Sequence, residues 1–374
     1  MQFYFNRKEL LNALAIGGSF AGKNRAMAVL EMCKMRIHDD GRMFVSSTDL
    51  ESFVTKRVFS EGVSGISTRK EIEFAMHIDT LNKVLRTLSC DSVCLDIDDD
   101  CREMVVRYKK GSMKMPLHDA SEYPTPARVN DGVTMDTDAT MLKRWFDVSK
   151  SFYSNDNLRP ILNGMYLYMK DGVLGCCATD GQKLFHDETS NSSDADMQAD
   201  CVISSSCFST ISALLNGYSA VSISMDKVNA TFRVDDASVV CRLVNGNYPN
   251  FRAVLPKEHP MSFTTNRSEL IETITRCGIA SGASRCLRID ANPMDVTLVA
   301  EDIDFGKTSS ETINVEDSNV QIEIGVNADS LLTTLNAIDG ENVTIKFKDA
   351  RSPIDVYETY DSSKRIITMP MMIS

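Results

Sequence analysis

The sequence has no apolar run that approaches the roughly 20 residues of a membrane span. Its first residues, Met1-Gln2-Phe3-Tyr4-Phe5-Asn6-Arg7, lack a signal-peptide pattern, so a soluble, cytoplasmic protein is expected. Paired cysteine motifs are missing. The eleven cysteines are odd in number and scattered, with no C-x2-C, which argues against a disulfide framework or a zinc finger. They read as reduced thiols, mostly small core residues. Histidines number five, each alone in its segment. No G-x-G-x-x-G and no G-x-S-x-G is present, and Gly306-Lys307-Thr308 fails as a P-loop because Glu301 stands where its first glycine belongs. No cofactor and no metal are expected. Positive charge is also short. The net charge of −12 speaks against gripping nucleic acid by phosphate neutralisation alone.

Two acidic stretches are read as unspecialised. Asp96-Ile97-Asp98-Asp99-Asp100 falls short of a calcium loop, since Cys101 stands where the sharp-turn glycine is needed, and reads as a hairpin tip. His186-Asp187-Glu188 reads as a solvated turn, because neighbours on an extended chain point to opposite faces.

What is present is ordinary globular composition, 43% apolar and 25% charged over 374 residues, and an internal period. Three amphipathic helices open on Asn6, Asp138 and Asn266, each a suitable N-cap, with Glu9 and Glu269 placed for capping boxes. Three second helices are expected from His77, Ser204 and Asn327. A third echo, Thr48-Asp49, Thr179-Asp180 and Glu301-Asp302, follows each first helix at the same spacing, 122 to 132 residues. Between them Val221–Met225 and Val343–Phe347 alternate as strands do, and Asp40-Gly41, Asp171-Gly172 and Asn245-Gly246 read as hairpin turns. The fold class is therefore α+β, in three repeats at 1–125, 126–255 and 256–374, with breaks after Tyr123-Pro124 and near Leu255-Pro256. The thirds carry net charges of 0, −4 and −8, with a basic stretch at 102–114, so a neutral end and an acidic end are available to meet head to tail. Met369-Pro370-Met371-Met372 puts apolar residues at a chain end, which need either their own core or a partner.

Leu162-Asn163-Gly164-Met165, followed by Ala178-Thr179-Asp180-Gly181-Gln182-Lys183-Leu184, resembles the central domain of the bacterial DNA polymerase III beta subunit, the sliding clamp. Tyr248-Pro249-Asn250-Phe251-Arg252-Ala253-Val254-Leu255-Pro256 is similar to the end of that domain. Thr48-Asp49-Leu50-Glu51 is similar to part of the first domain, and Met369-Pro370-Met371 to the close of the last. The resemblance implies three clamp domains, each with an antiparallel sheet outside and two helices inside, and two chains closed head to tail around duplex DNA. It also implies no catalysis. The clamp tethers the replicative DNA polymerase and other clamp-binding-motif proteins, and a clamp loader opens it.

A domain of about 125 residues has a diameter of roughly 35 Å, so three in a ring leave a hole about 5 Å wide and six about 35 Å. Duplex DNA is roughly 20 Å wide. Encirclement therefore requires two chains, and topological retention tolerates an acidic total. Expected DNA-facing cations are Arg25, Lys83, Arg86, Lys143, Arg144, Lys150, Arg159 and Arg276. By the resemblance, a partner-peptide groove takes one wall from Leu162, Thr179, Gly181, Gln182, Lys183, Leu184, Pro249 and Val254. The other wall comes from Arg351, Pro353, Met369, Pro370 and Met371. Gln182-Lys183 stands where His-Arg is common in the family, Ala253 where Arg is, and Pro160-Ile161 where an aromatic pair is. The dimer seam is expected to join an edge strand with Met113 and Met115 to one near Lys307–Val315, with Ile279 close by and Glu311 facing Lys109 or Lys110. Two other readings stay open: a metal-dependent hydrolase using Asp49, Asp180 and Asp302, and a clamp-like scaffold without a DNA role.

Overall fold

The computed structural model describes residues 1–24, 26–65, 70–98, 100–130, 132–190, 197–358 and 361–373. One order of elements recurs three times. The first pass is β1 (Gln2–Asn6), α1 (Arg7–Gly17), β2 (Cys33–His38), β3 (Arg42–Thr48), β4 (Ser52–Phe59), a short β5 (Gly62–Ser64), β6 (Glu71–Met76), α2 (Ile78–Thr87), β7 (Ser92–Ile97), β8 (Glu103–Tyr108) and β9 (Gly111–Pro116). The second is β10 (Val133–Asp138), α3 (Ala139–Ser149), β11 (Gly164–Lys170), β12 (Val173–Thr179), β13 (Lys183–Ser190), β14 (Ala199–Ser204), α4 (Phe208–Leu215), β15 (Ala220–Met225), β16 (Asn229–Val234) and β17 (Ala237–Arg242). The third is β18 (Met261–Asn266), α5 (Arg267–Gly278), β19 (Cys286–Ala291), β20 (Val296–Asp302), β21 (Lys307–Ile313), β22 (Ile322–Asn327), α6 (Ala328–Asn336), β23 (Asn342–Phe347), β24 (Ile354–Glu358), β25 (Asp361–Thr368) and a terminal β26 (Pro370–Met371).

The helix starts follow from the caps. Asn6 Oδ1 accepts from the Lys8 and Glu9 amides, Asp138 Oδ1 from Met141, Asn266 Oδ1 from Glu269 and Asn327 Oδ1 from Ser330, each relieving an orphan amide of the first turn. The helix expected from Ser204 begins later. A 3-10 turn, Ser205–Cys207, precedes α4, and Cys207 provides no side-chain cap. His77 provides none for α2 either.

The chain forms two compact units. Unit 1 is Met1–Arg144 with Ser206–Leu243, and unit 2 is Trp145–Ser205 with Val244–Ser374. The repeat period does not mark these limits, because sheets cross it. In unit 1 an eight-stranded antiparallel sheet runs β10-β15-β16-β17-β4-β3-β2-β6, so β17 of the second repeat pairs with β4 of the first. In unit 2 the order β14-β11-β12-β13-β25-β24-β23-β18 pairs β13 of the second repeat with β25 of the third. Each unit also holds a five-stranded sheet, β5-β1-β7-β8-β9 in unit 1 and β21-β20-β19-β22-β26 in unit 2. Apolar positions alternate into the cores, as Phe3 and Phe5 on β1 or Leu287 and Ile289 on β19.

Two turn readings resolve differently. Asp40-Gly41 and Asp171-Gly172 close hairpins with positive φ at Gly41, Asp171 and Gly172. Asn245-Gly246 does not, because it lies beyond β17 in the segment leading to Tyr248. His186-Asp187-Glu188 is not a solvated turn. It lies within β13 with His186 and Asp187 buried, and the opposite-faces argument then sends Asp187 to Trp145 Nε1 (2.9 Å) and His186 to Tyr168 (2.9 Å).

Candidate functional site

The Thr-Asp echo marks a turn with a fixed set of hydrogen bonds. At the end of β12 the Thr179 hydroxyl donates to the Lys183 carbonyl (2.6 Å) and accepts from the Gly181 amide (3.0 Å). Asp180 Oδ1 accepts from the Gln182 and Lys183 amides, both at 2.9 Å. Gly181 sits at φ 92°, a conformation that an L side chain adopts only with strain. Lys183 Nζ pairs with Asp180 Oδ2 at 2.5 Å. The Thr179 hydroxyl and the Lys183 ammonium therefore build the turn.

This turn collects the other expected groove residues of unit 2. The Met369 amide donates to the Gln182 carbonyl (2.7 Å), and Leu184 is paired with Ile367, so the chain tail runs alongside. Ile354 pairs with Thr368, placing Pro353 next to Met369 in the register, while the Arg351 amide is held by Asp349 Oδ1. Leu184, Phe251 and Ile367 share one apolar cluster with Tyr248 and Leu255, which brings in the segment carrying Pro249 and the half-exposed Val254. Leu162 ends a 3-10 turn and is buried. A Cβ added at Gly181 would lie 3.6 Å from Arg159 NH1, so Arg159, expected among the DNA-facing cations, stands against the groove turn. It also pairs with Asp156 at 3.0 Å. Pro370 and Met371 pair with β22 as an added edge strand, and Met372 is exposed.

The back of the groove wall is a polar network that the sequence reading missed. Arg252 donates to Glu188 (2.8 Å) and to the Tyr168 hydroxyl (2.9 Å), and Tyr168 donates to Glu188 (2.8 Å). Tyr166 stacks on Tyr248 with centroids 4.7 Å apart. Burial pushes the His186 imidazole down to about 4, so it is neutral at pH 7. Burial opposes ionisation of Glu188, but hydrogen bonds from Tyr168 and Arg252 outweigh it and hold the carboxyl below its ordinary value. The available signal was the alternation His186-Asp187-Glu188 within a strand.

Comparison with known proteins fits this geometry. The profile of the DNA polymerase III beta subunit, central domain, matches residues 138–250, and that of the C-terminal domain matches 252–372. The chain belongs to the DNA polymerase III beta subunit family. A beta sliding clamp of Helicobacter pylori is 24% identical over 388 residues, and one of Caulobacter vibrioides is 23% identical over 382, with both chains covered completely in each case. Among solved structures, the fold is shared with a sliding clamp of Pseudomonas aeruginosa bound to griselimycin (TM-score 0.92, 21% identity). It is shared equally with the DNA polymerase III beta subunit of Thermotoga maritima (TM-score 0.89, 20% identity). Each covers both chains completely.

The hydrolase reading loses its support. Asp49 Oδ1 accepts from the Glu51 and Ser52 amides as Asp180 does in its own turn, and Asp302 Oδ1 accepts from Phe305. Each aspartate caps a separate turn, and among the described residues no group of three or more His, Cys, Asp or Glu is placed to hold a metal ion.

Of the cations expected to face DNA, Lys83 and Arg86 are exposed on α2, and Lys143 and Arg144 lie on α3. Lys150, just beyond α3, pairs with Asp147 (2.7 Å). Arg25 lies outside the described residues. Arg276 on α5 is paired with Glu311 of β21 at 2.8 Å. Two expectations are corrected by that pair: Arg276 is neutralised within its own chain, and Glu311 is turned to it rather than left for Lys109. Lys109 instead donates to Ser89 (3.0 Å). Met115 is buried in the unit 1 core by strand alternation, and Met113 is half-buried against it, so β9 offers a seam its backbone rather than Met115. Ile279 is 76% exposed beside the end of α5.

Proposed function

We propose that the chain is a DNA sliding clamp that works as a ring of two copies. One observation carries this. In both eight-stranded sheets the strand after the turn-bearing strand of one repeat pairs with the third strand after the second helix of the next repeat, as β4 with β17 and β13 with β25. The same rule applied to the third repeat leaves β21, and the only such strand left for it among the described residues is β9. Both are outer strands of their five-stranded sheets, without a partner on one side among the described residues. Such edges are templates for pairing. Pairing β21 with β9 of a second copy repeats the junction and closes the chain head to tail, with 1–125, 126–255 and 256–374 as the three clamp domains.

The clamp has no catalysis of its own in this reading. Double-stranded DNA is held by encirclement, with α2 and α3 supplying exposed cations. The groove around Leu162, Gly181, Leu184, Val254 and Met369 takes an apolar peptide from the replicative polymerase, the clamp loader or another clamp-binding protein, whose Leu or Phe side chains would be buried there. The protein acts in the cytoplasm. Retention on closed circular DNA after treatment with a clamp loader, followed by linearisation, is the test. A clamp slides off the ends, and a protein that stays bound overturns the reading. Sedimentation should show a mass twice that of the chain, and a monomer at all concentrations overturns the ring.

A further inference from the structure

A feature that this function leaves unused lies on unit 1. A cavity of about 580 Å³ opens beneath the segment that follows Tyr123-Pro124. Its floor is a patch of the eight-stranded sheet. Register places Thr134 opposite Ser224 and Ser224 opposite Thr231, and in the next row Arg233 opposite Ser238. Side chains two apart on a strand share a face, so these hydroxyls and one guanidinium are delivered to the same surface. The Thr134 and Ser224 hydroxyls lie 2.9 Å apart. The overlying segment adds Arg128 and an apolar contribution from Val129.

Among the described residues the electrostatics are one-sided. In a chain of net charge −12, the described lining holds two arginines, several hydroxyls and no carboxylate. Both arginines are exposed, and neither has an acidic partner among the described residues, whereas the arginines at 107, 252, 276 and 285 each do. Guanidiniums without an acidic partner among the described residues, over a hydroxyl-lined floor, match the fork geometry and acceptor density of phosphate or carboxylate. The volume is that of a small-molecule site.

We propose that this cavity binds a small organic oxyanion, with Arg128 and Arg233 on its charged head, the Ser224, Thr231 and Ser238 hydroxyls ordering its oxygens, and Val129 against its apolar part. The site is independent of the ring and of the peptide groove. Calorimetric titration of the full chain at low salt with inorganic phosphate, deoxyadenosine monophosphate and citrate tests it. At least one should bind, with affinity reduced about tenfold or more by Arg128→Gln or Arg233→Gln and weakened by added salt. Binding of the phosphates alone assigns a phosphate ligand, and binding of citrate alone a carboxylate. Both arginines are exposed, so the variants should keep the parent unfolding midpoint. Ser224→Ala gives a second, charge-neutral variant with the same expected direction. No heat from any probe at millimolar concentration, or binding that survives the double variant, overturns the proposal.

Discussion

Unit 1 and unit 2 use one construction at their repeat junctions and finish it differently. In unit 1 the Thr48 hydroxyl donates to the Ser52 carbonyl (2.7 Å) and accepts from the Leu50 amide (3.0 Å), the same bonds that Thr179 makes in unit 2. The Tyr123 hydroxyl donates to the Ser46 carbonyl, two residues before that turn, and Tyr248 does the same to Cys177. The residue at positive φ differs: Leu50 at 77° in unit 1, Gly181 at 92° in unit 2. The surroundings differ more. The unit 1 junction is locked by Lys56, buried, which donates to both Asp236 carboxylate oxygens at 2.7 Å and to Tyr218. In unit 2 the Glu188–Arg252 pair lies within the second repeat and reaches solvent, while Arg365, on the β25 side of the junction, pairs with the buried Asp355. The cavities beneath the two Tyr-Pro segments also differ, one lined by arginines and hydroxyls, the other by tyrosines and by charges of both signs, among them Glu188, Asp200, Lys170 and Arg252. The same turn is thus set in different polar surroundings at the two junctions.

The largest expected effect tests the lock. Asp236→Ala strands the Lys56 ammonium in a buried site and should cost about 3–5 kcal/mol in denaturant unfolding of the full chain. Glu188→Gln, at a more exposed pair, should cost about 1 kcal/mol or less. Equal costs would erase the contrast between the two ion pairs.

Acid should separate the units next. The His186 pKa in the folded chain is about 4, below the ordinary 6.5, so the unfolded chain takes up the proton first as pH falls. The contribution is whole above pH 6.5 and is lost between 6.5 and 4, about 3 kcal/mol in all. Amide exchange of β13 should accelerate over that window more than that of β4, which carries no histidine. Parallel acceleration of both strands would count against His186 as the cause.

Smaller effects belong to the turns. Gly181→Leu should add about 1–2 kcal/mol of left-handed strain. It should also weaken a fluorescent Leu/Phe peptide about tenfold, near 1.4 kcal/mol, by filling the space before Arg159. The smallest effect is expected of Leu50→Gly. Relief of strain and the extra unfolded-state entropy of glycine nearly offset each other, so stability should change by less than about 1 kcal/mol. Peptide affinity should not change. If Leu50→Gly altered binding as much as Gly181→Leu, the division of labour between the two turns would be wrong.

Much of this was legible from residue patterns. The helix caps, the alternating strands and the threefold Thr-Asp or Glu-Asp echo are local signals, and local hydrogen bonds enforce them. The groove was named through motif resemblance; of its residues, Leu184 and Met369 lie alongside the turn at Gly181, and Thr179 and Lys183 build it. Arg159 stands beside the Gly181 turn, a neighbour that no local pattern gives, because an exposed arginine looks the same in sequence whichever surface it serves. Glu311 was misassigned because its partner, Arg276, lies 35 residues away on another element.

By itself, then, the sequence determined the repeat and the element order, since these depend on periodicity and on residues within a few positions of one another. Only the tertiary structure decided which strands of neighbouring repeats join, which edges stay open and which charges are consumed inside the chain. Those outcomes depend on pairing between residues far apart in sequence, as Lys56 with Asp236 and His186 opposite Arg365, and no local pattern encodes such a choice.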